Sequence, residues 1–150
     1  MEKEFIINSP EEIISLGEKI GRLLKPNMII TFEGDLGAGK TTMTKGIALG
    51  LDIKSIINSP TFTIMKIHEG RLTLYHMDVY RLDASSGDDY LEEYFEAGGV
   101  CVIEWADNID YLLPKKALNI SIKNIGENSR LVKISANNSE YIDLLKEVEK

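Results

Sequence analysis

The stretch Gly34-Asp35-Leu36-Gly37-Ala38-Gly39-Lys40-Thr41 fits the pattern G-x-x-x-x-G-K-[ST], and it constrains the fold more than any other part of the chain. Backbone amides close around a phosphate chain only where glycines let them turn inward. Such a loop also has to open a helix, whose N-terminus carries partial positive charge. It therefore needs a strand before it and a helix after it, and both are legible. Residues 28–33 are a short, nearly continuous apolar run, as in a strand buried on both faces. Residues 40–49 read as a helix ended by Gly50. Gly37, Ala38 and Gly39 are expected to form the cradle, with Lys40 reaching the β- and γ-phosphates as a point charge. Thr41 is expected to offer its hydroxyl to Mg²⁺, and Thr42 is placed for an α-phosphate contact.

The rest of the chain supplies more strands and helices. Residues 4–8 read as a strand. Ser9-Pro10-Glu11-Glu12 then has the signature of a helix start, with Ser9 as cap, Pro10 in the first turn and Glu12 completing a capping box. Ile13, Leu16, Ile20, Leu23 and Leu24 follow at helical spacing until Pro26 and Asn27 stop the helix. Residues 64–67 and 72–77 predict an antiparallel hairpin about a Gly70 turn. Residues 88–96 predict a short acidic helix closed by Gly98 and Gly99, and 100–103 a second buried strand. A late strand pair at 118–123 and 131–136 and a terminal amphipathic helix at 141–148 complete the pattern. The sum is an α/β chain with a parallel centre and antiparallel additions.

The length of 150 residues suits a single domain, residues 1–150. Seventeen Lys and Arg against twenty-four Asp and Glu leave a net charge of −7. A surface of that sign repels a phosphate backbone, which argues against tight, direct nucleic-acid binding. The single Cys101 excludes an internal disulfide and suits a reducing cytosol. No stretch approaches the ~18–20 apolar residues of a spanning helix. The expectation is a soluble cytoplasmic protein that does not engage membranes.

Hydrolysis needs more than a phosphate loop: acids for the metal and a group that orients water. Glu104 follows a buried strand, where the ligand crevice of an open α/β sheet lies. Asp78 shares that placement if its strand runs in the same direction. His76 reads as a partly buried, satisfied histidine and Trp105 as core, although a tryptophan beside a metal-site acid can pack on a nucleotide. In Asn58-Ser59-Pro60-Thr61-Phe62, the hydroxyl of Thr61 could meet Mg²⁺ or the γ-phosphate, while composition alone favours a plain turn.

Four segments occur in order: the phosphate loop through Thr42, then Ser59-Pro60-Thr61-Phe62, His76-Met77-Asp78-Val79-Tyr80-Arg81, and Ile103-Glu104-Trp105. This combination resembles the TsaE (YjeE) family of bacterial ATPases of tRNA threonylcarbamoyladenosine synthesis, over nearly the whole chain. The resemblance implies a P-loop NTPase-like three-layer α/β fold and weak ATP hydrolysis with Mg²⁺. It implies an accessory role to TsaD and TsaB, which modify adenosine 37 of ANN-decoding tRNAs, so that tRNA is met only through partners. It assigns Thr41 and Glu104 to the metal and Lys40 to the phosphates. Thr61 falls in a switch-like segment, Asp78 is the second acid, and Trp105 lies beside the nucleotide. Ser9 and Arg130 match weaker positions near the nucleotide, and residues 85–99 depart from the family pattern. Arg81 is the internal candidate for an arginine finger.

Two other classes share the phosphate loop. A small-molecule or nucleoside kinase usually carries an arginine-rich lid, and the sequence holds no arginine cluster. A nucleotide-gated binding module would leave Asp78 and Glu104 without a task. The guanine-reading Asn-Lys-x-Asp segment is absent, which favours ATP over GTP.

Overall fold

The computed structural model describes residues 1–34, 37–60, 64–82 and 89–149. The strands are β1 (Glu2–Ile7), β2 (Ile29–Glu33), β3 (Met65–His68), β4 (Leu74–Asp78), β5 (Val100–Glu104), β6 (Leu118–Asn124) and β7 (Arg130–Ala136). They form one sheet in the order β1-β7-β6-β2-β5-β4-β3. β6, β2, β5 and β4 run parallel, while β7 is antiparallel to β6 and to β1, and β3 to β4. The fold is thus the expected α/β arrangement with a parallel centre and antiparallel additions.

β2 sits mid-sheet because its apolar residues have cover on both sides. Ile30 and Phe32 join Val102, Ile120 and Val132 beneath helices α1 (Pro10–Leu23), α2 (Lys40–Gly50) and α3 (Ser139–Val148). Ile29 joins Met77, Cys101 and Ile103 on the opposite face, under the 3-10 segments Asp89–Glu96 and Ala106–Ile109. Burial there pushes the Cys101 thiol up to about 12. Among the described residues, no helix is long and apolar enough to cross a membrane.

Most elements lie where the sequence puts them, with three differences. β1 starts at Glu2 because it zips onto β7 from Glu2 opposite Ser135, and the Met1 ammonium donates to the Ala136 carbonyl at 2.8 Å. The acidic segment winds as a 3-10 helix over Asp89–Glu96. Residue 88 is outside the described residues. Gly50, expected to end α2, is its last helical residue and is buried against α1.

That last difference has a packing cause. The start of α1 follows expectation: the Glu12 N–H donates to Ser9 Oγ at 3.2 Å, and the Glu12 carboxylate accepts from the Asn8 N–H at 3.0 Å. Further along, Gly17 and Gly21 of α1 meet Gly46 and Gly50 of α2 backbone to backbone. A Cβ on Gly46 would lie 2.2 Å from the Ile14 carbonyl oxygen, and one on Gly21 2.3 Å from that of Ile47. The helices touch where neither has a side chain. Gly46→Ala is expected to destabilise the protein by about 1–3 kcal/mol, the usual cost of overpacking a filled interior. The midpoint of urea unfolding measures it, and an unchanged midpoint would contradict the close crossing.

Candidate functional site

β2 delivers the chain to the loop at Gly34, and α2 receives it at Lys40. Gly34, Gly37 and Gly39 have φ of 144°, 79° and 117°, in the region that favours glycine. Gly34 is fixed by space as well, since a Cβ there would lie 2.5 Å from the Ile122 carbonyl oxygen. Gly39 is the N-cap of α2 and brings no capping side chain, so the first amides of the helix face the loop. Ala38 is buried, and its carbonyl accepts from Arg130 Nε at 3.2 Å. Arg130 thus braces the loop from β7. Ser9, besides capping α1, is not among the residues that line the cleft.

The cleft over the loop has a volume of about 310 Å³ and is lined by Gly37, Gly39, Lys40, Thr41, Thr42, Ser59, Asp78, Glu104 and Trp105. β4 runs parallel to β5 with Asp78 opposite Glu104, so both acids stand at the carboxyl edge of the sheet. This meets the condition on strand direction that the sequence left open for Asp78. Both acids are buried. The Asp78 carboxylate accepts from the Tyr80 N–H at 3.0 Å, and Glu104 Oε2 lies 2.8 Å from His76 Nε2. Ser59 was not singled out as a site residue. Thr61 lies outside the described residues.

Lys40 is only 5% exposed. Its ammonium donates to the Gly34 carbonyl at 2.8 Å and sits 4.3 Å from the centre of the Trp105 ring, two contacts that offset its loss of water. Trp105 itself has φ 63°, a left-handed conformation that costs about 1–2 kcal/mol for a residue with a side chain. The surrounding bonds hold it: the Val79 N–H donates to the Glu104 carbonyl at 3.1 Å, and the Asn108 N–H to the Trp105 carbonyl at 3.0 Å. Tyr80 packs edge-on against the indole, with ring centres 4.8 Å apart. Trp105, read from composition as core, is therefore a half-buried wall of the cleft.

His76 is the residue that sequence reasoning undervalued. It is fully buried, with Nδ1 lacking a hydrogen-bond partner among the described residues, an arrangement that costs about 1–3 kcal/mol. The nearby His68 accepts or donates at Nδ1 to Ser55 Oγ at 2.8 Å. Burial first, then electrostatic interaction with His76 and Lys66, holds its pKa below the ordinary histidine value.

The residues present fit a phosphate chain and a small hard cation. The loop amides, the start of α2 and the Lys40 ammonium are donors gathered at one place. The Thr41 hydroxyl and the Asp78 and Glu104 carboxylates are oxygen donors of the kind Mg²⁺ takes, usually one or two from protein and the rest from phosphate and water. A larger groove of about 480 Å³ elsewhere is bordered by Asp89, Glu92, Glu93 and Glu96. It repels phosphate, so size does not mark the anion site.

The glycine loop between a buried strand and a helix, with two acids at the same sheet edge, defines a P-loop α/β protein. Residues 7–132 match the family model described as threonylcarbamoyl adenosine biosynthesis protein TsaE. A Bacillus subtilis protein named tRNA threonylcarbamoyladenosine biosynthesis protein TsaE is 48% identical over 141 residues, 93% of this chain and 89% of that protein. A Treponema pallidum protein of the same name is 39% identical over 138 residues, 87% of this chain and 98% of its own. The crystal structure of Bacillus subtilis YdiB superposes with a TM-score of 0.88 at 41% identity, covering 99% of this chain and 95% of that one. The chain belongs to the TsaE family, whose members are named for tRNA threonylcarbamoyladenosine biosynthesis.

Glu33, the last residue of β2, carries a carboxyl held above its ordinary value of 4.5 by partial burial and by the neighbouring Asp107. Its stabilising contribution is present below 4.5 and is lost as pH rises through the higher folded value. Glu33→Gln is therefore expected to raise Tm at pH 7 by about 1–2 °C, the scale of a surface change in a chain of this size. The gain should fade as the pH is lowered towards 4. A lower Tm at pH 7 would reverse the assignment.

Proposed function

We propose that the chain is a weak Mg²⁺-dependent ATPase that acts as accessory to the TsaD–TsaB pair in threonylcarbamoylation of adenosine 37 of ANN-decoding tRNAs, in the cytoplasm. Membership of a family named for that modification supports the process. The meeting of Lys40, Thr41, Asp78 and Glu104 at one glycine-lined cleft carries the ATPase reading.

In this reading the loop amides and Lys40 bind and orient the phosphates. Thr41 and Glu104 would hold Mg²⁺, and the ion would supply positive charge against the negative charge that develops on the phosphates. Asp78 or Glu104 accepts a hydrogen bond from the attacking water. Trp105, packed edge-on by Tyr80, forms a wall of the cleft on one side. Weak turnover has a physical reason: no arginine lines the cleft among the described residues, and Arg130 is engaged by the Ala38 carbonyl. An arginine finger contributes about 10³–10⁵ in rate where one is present, so a partner is expected to complete the site. The net charge of −7 supports contact with tRNA through partners rather than directly.

ATP hydrolysis by the purified chain, alone and with TsaD–TsaB, tests the reading. Marked stimulation by the pair is expected. Lys40→Ala is expected to lower hydrolysis by about 10²-fold or more, as loss of a transition-state donor does, and to weaken ATP binding. Fast hydrolysis by the chain alone, indifferent to the pair, would overturn the accessory role. Separately, Asp78→Asn is expected to spare ATP binding and slow hydrolysis. Equal loss of both would make Asp78 a structural residue.

A further inference from the structure

His76 takes no part in the chemistry above, yet it occupies a fully buried position beside it. The reason lies in strand register. β4 and β5 pair in parallel with His76 opposite Val102, so Glu104, two residues on, is its diagonal neighbour on the same face. The ring meets that neighbour: Nε2 lies 2.8 Å from Glu104 Oε2. A carboxylate accepts, so the ring donates from Nε2. The other ring nitrogen, Nδ1, is buried without a partner. His76 makes a single side-chain hydrogen bond, to an acid that lines the cleft.

A glutamate has three side-chain torsions and, left alone, offers its oxygens in many directions. With Oε2 tied to the ring, one oxygen is left for the cleft, and its direction is set. We propose that His76 is a positioning residue that fixes Glu104 through Oε2, and so sets the geometry in which Glu104 meets a divalent cation. The proposal rests on the reading that Glu104 serves Mg²⁺ in nucleotide binding. Hydrogen-bonded partners of metal ligands matter elsewhere by 10–100-fold in metal affinity or activity.

The test is the affinity of the full chain for adenylyl imidodiphosphate, measured by calorimetry with Mg²⁺ and again with EDTA. The ratio of the two affinities is the metal's contribution. His76→Leu, which has no donor, is expected to lower that ratio by about tenfold or more, while the affinity in EDTA stays within about twofold. His76→Gln, whose amide can donate from nearly the same place, is expected to keep most of the ratio. If the leucine variant does not fold, His76→Asn carries the test, because its shorter amide does not reach Oε2. An undiminished ratio in His76→Leu, or in His76→Asn where it stands in, would overturn the proposal. So would an equal loss in EDTA and in Mg²⁺, which marks a merely structural role. A wild-type chain whose affinity does not respond to Mg²⁺ would instead overturn the functional reading itself, and the unaltered protein alone reveals that result.

Discussion

The structure depends on the in-register parallel pairing of three strands. Glu104 of β5 lies opposite Phe32 of β2 on one side and Asp78 of β4 on the other. Three strand ends therefore stand at one level, and the glycine loop begins two residues beyond Phe32. If β4 ran the other way, Asp78 would sit at the far end of its strand, four steps of about 3.3 Å away. The acids and the loop share one edge because the strands share one direction.

Such an edge concentrates polar groups that a core would reject. Lys40, His76, Asp78 and Glu104 are all buried, and each is tied by a short contact to a neighbouring strand end, turn or loop. The left-handed backbone at Trp105 belongs to the same arrangement. It swings the indole from the end of β5 across the mouth of the cleft and over the Lys40 ammonium. Local strain and local burial of charge are both sustained by the apolar strands beneath, with Val102, Ile103 and Met77 fully buried.

Much of this was legible in the sequence because it is local. The loop pattern, the apolar run before it and the Ser9 cap each depend on a few adjacent residues, and the hairpin of β3 and β4 depends on one turn. The pairing of His76 with Glu104 was not legible, since it joins residues 28 apart through a register that only the assembled sheet fixes. Residues 88–96 read as a short acidic helix without its winding being legible, because over eight residues 3.0 per turn looks much like 3.6. Gly50 ends α2 to within a residue, as expected, but its part in the contact with α1 was not legible. As a single glycine it resembles a terminator, and only beside Gly46, with Gly17 and Gly21 at the same spacing on α1, does it mark a contact surface.

That contact surface has a mechanical consequence. Most helix pairs meet through side chains, which can change rotamer and so absorb a small displacement. Along the glycine seam of α1 and α2 there are no rotamers to change, and the two backbones bear on each other directly. Nor does the stiffness end at the seam, for the Ile13 side chain of α1 lies against Gly39, the residue that starts α2. A displacement of α1 along the seam therefore meets the backbone of α2, the helix that opens at Lys40, with no glycine side chain between them to rearrange first.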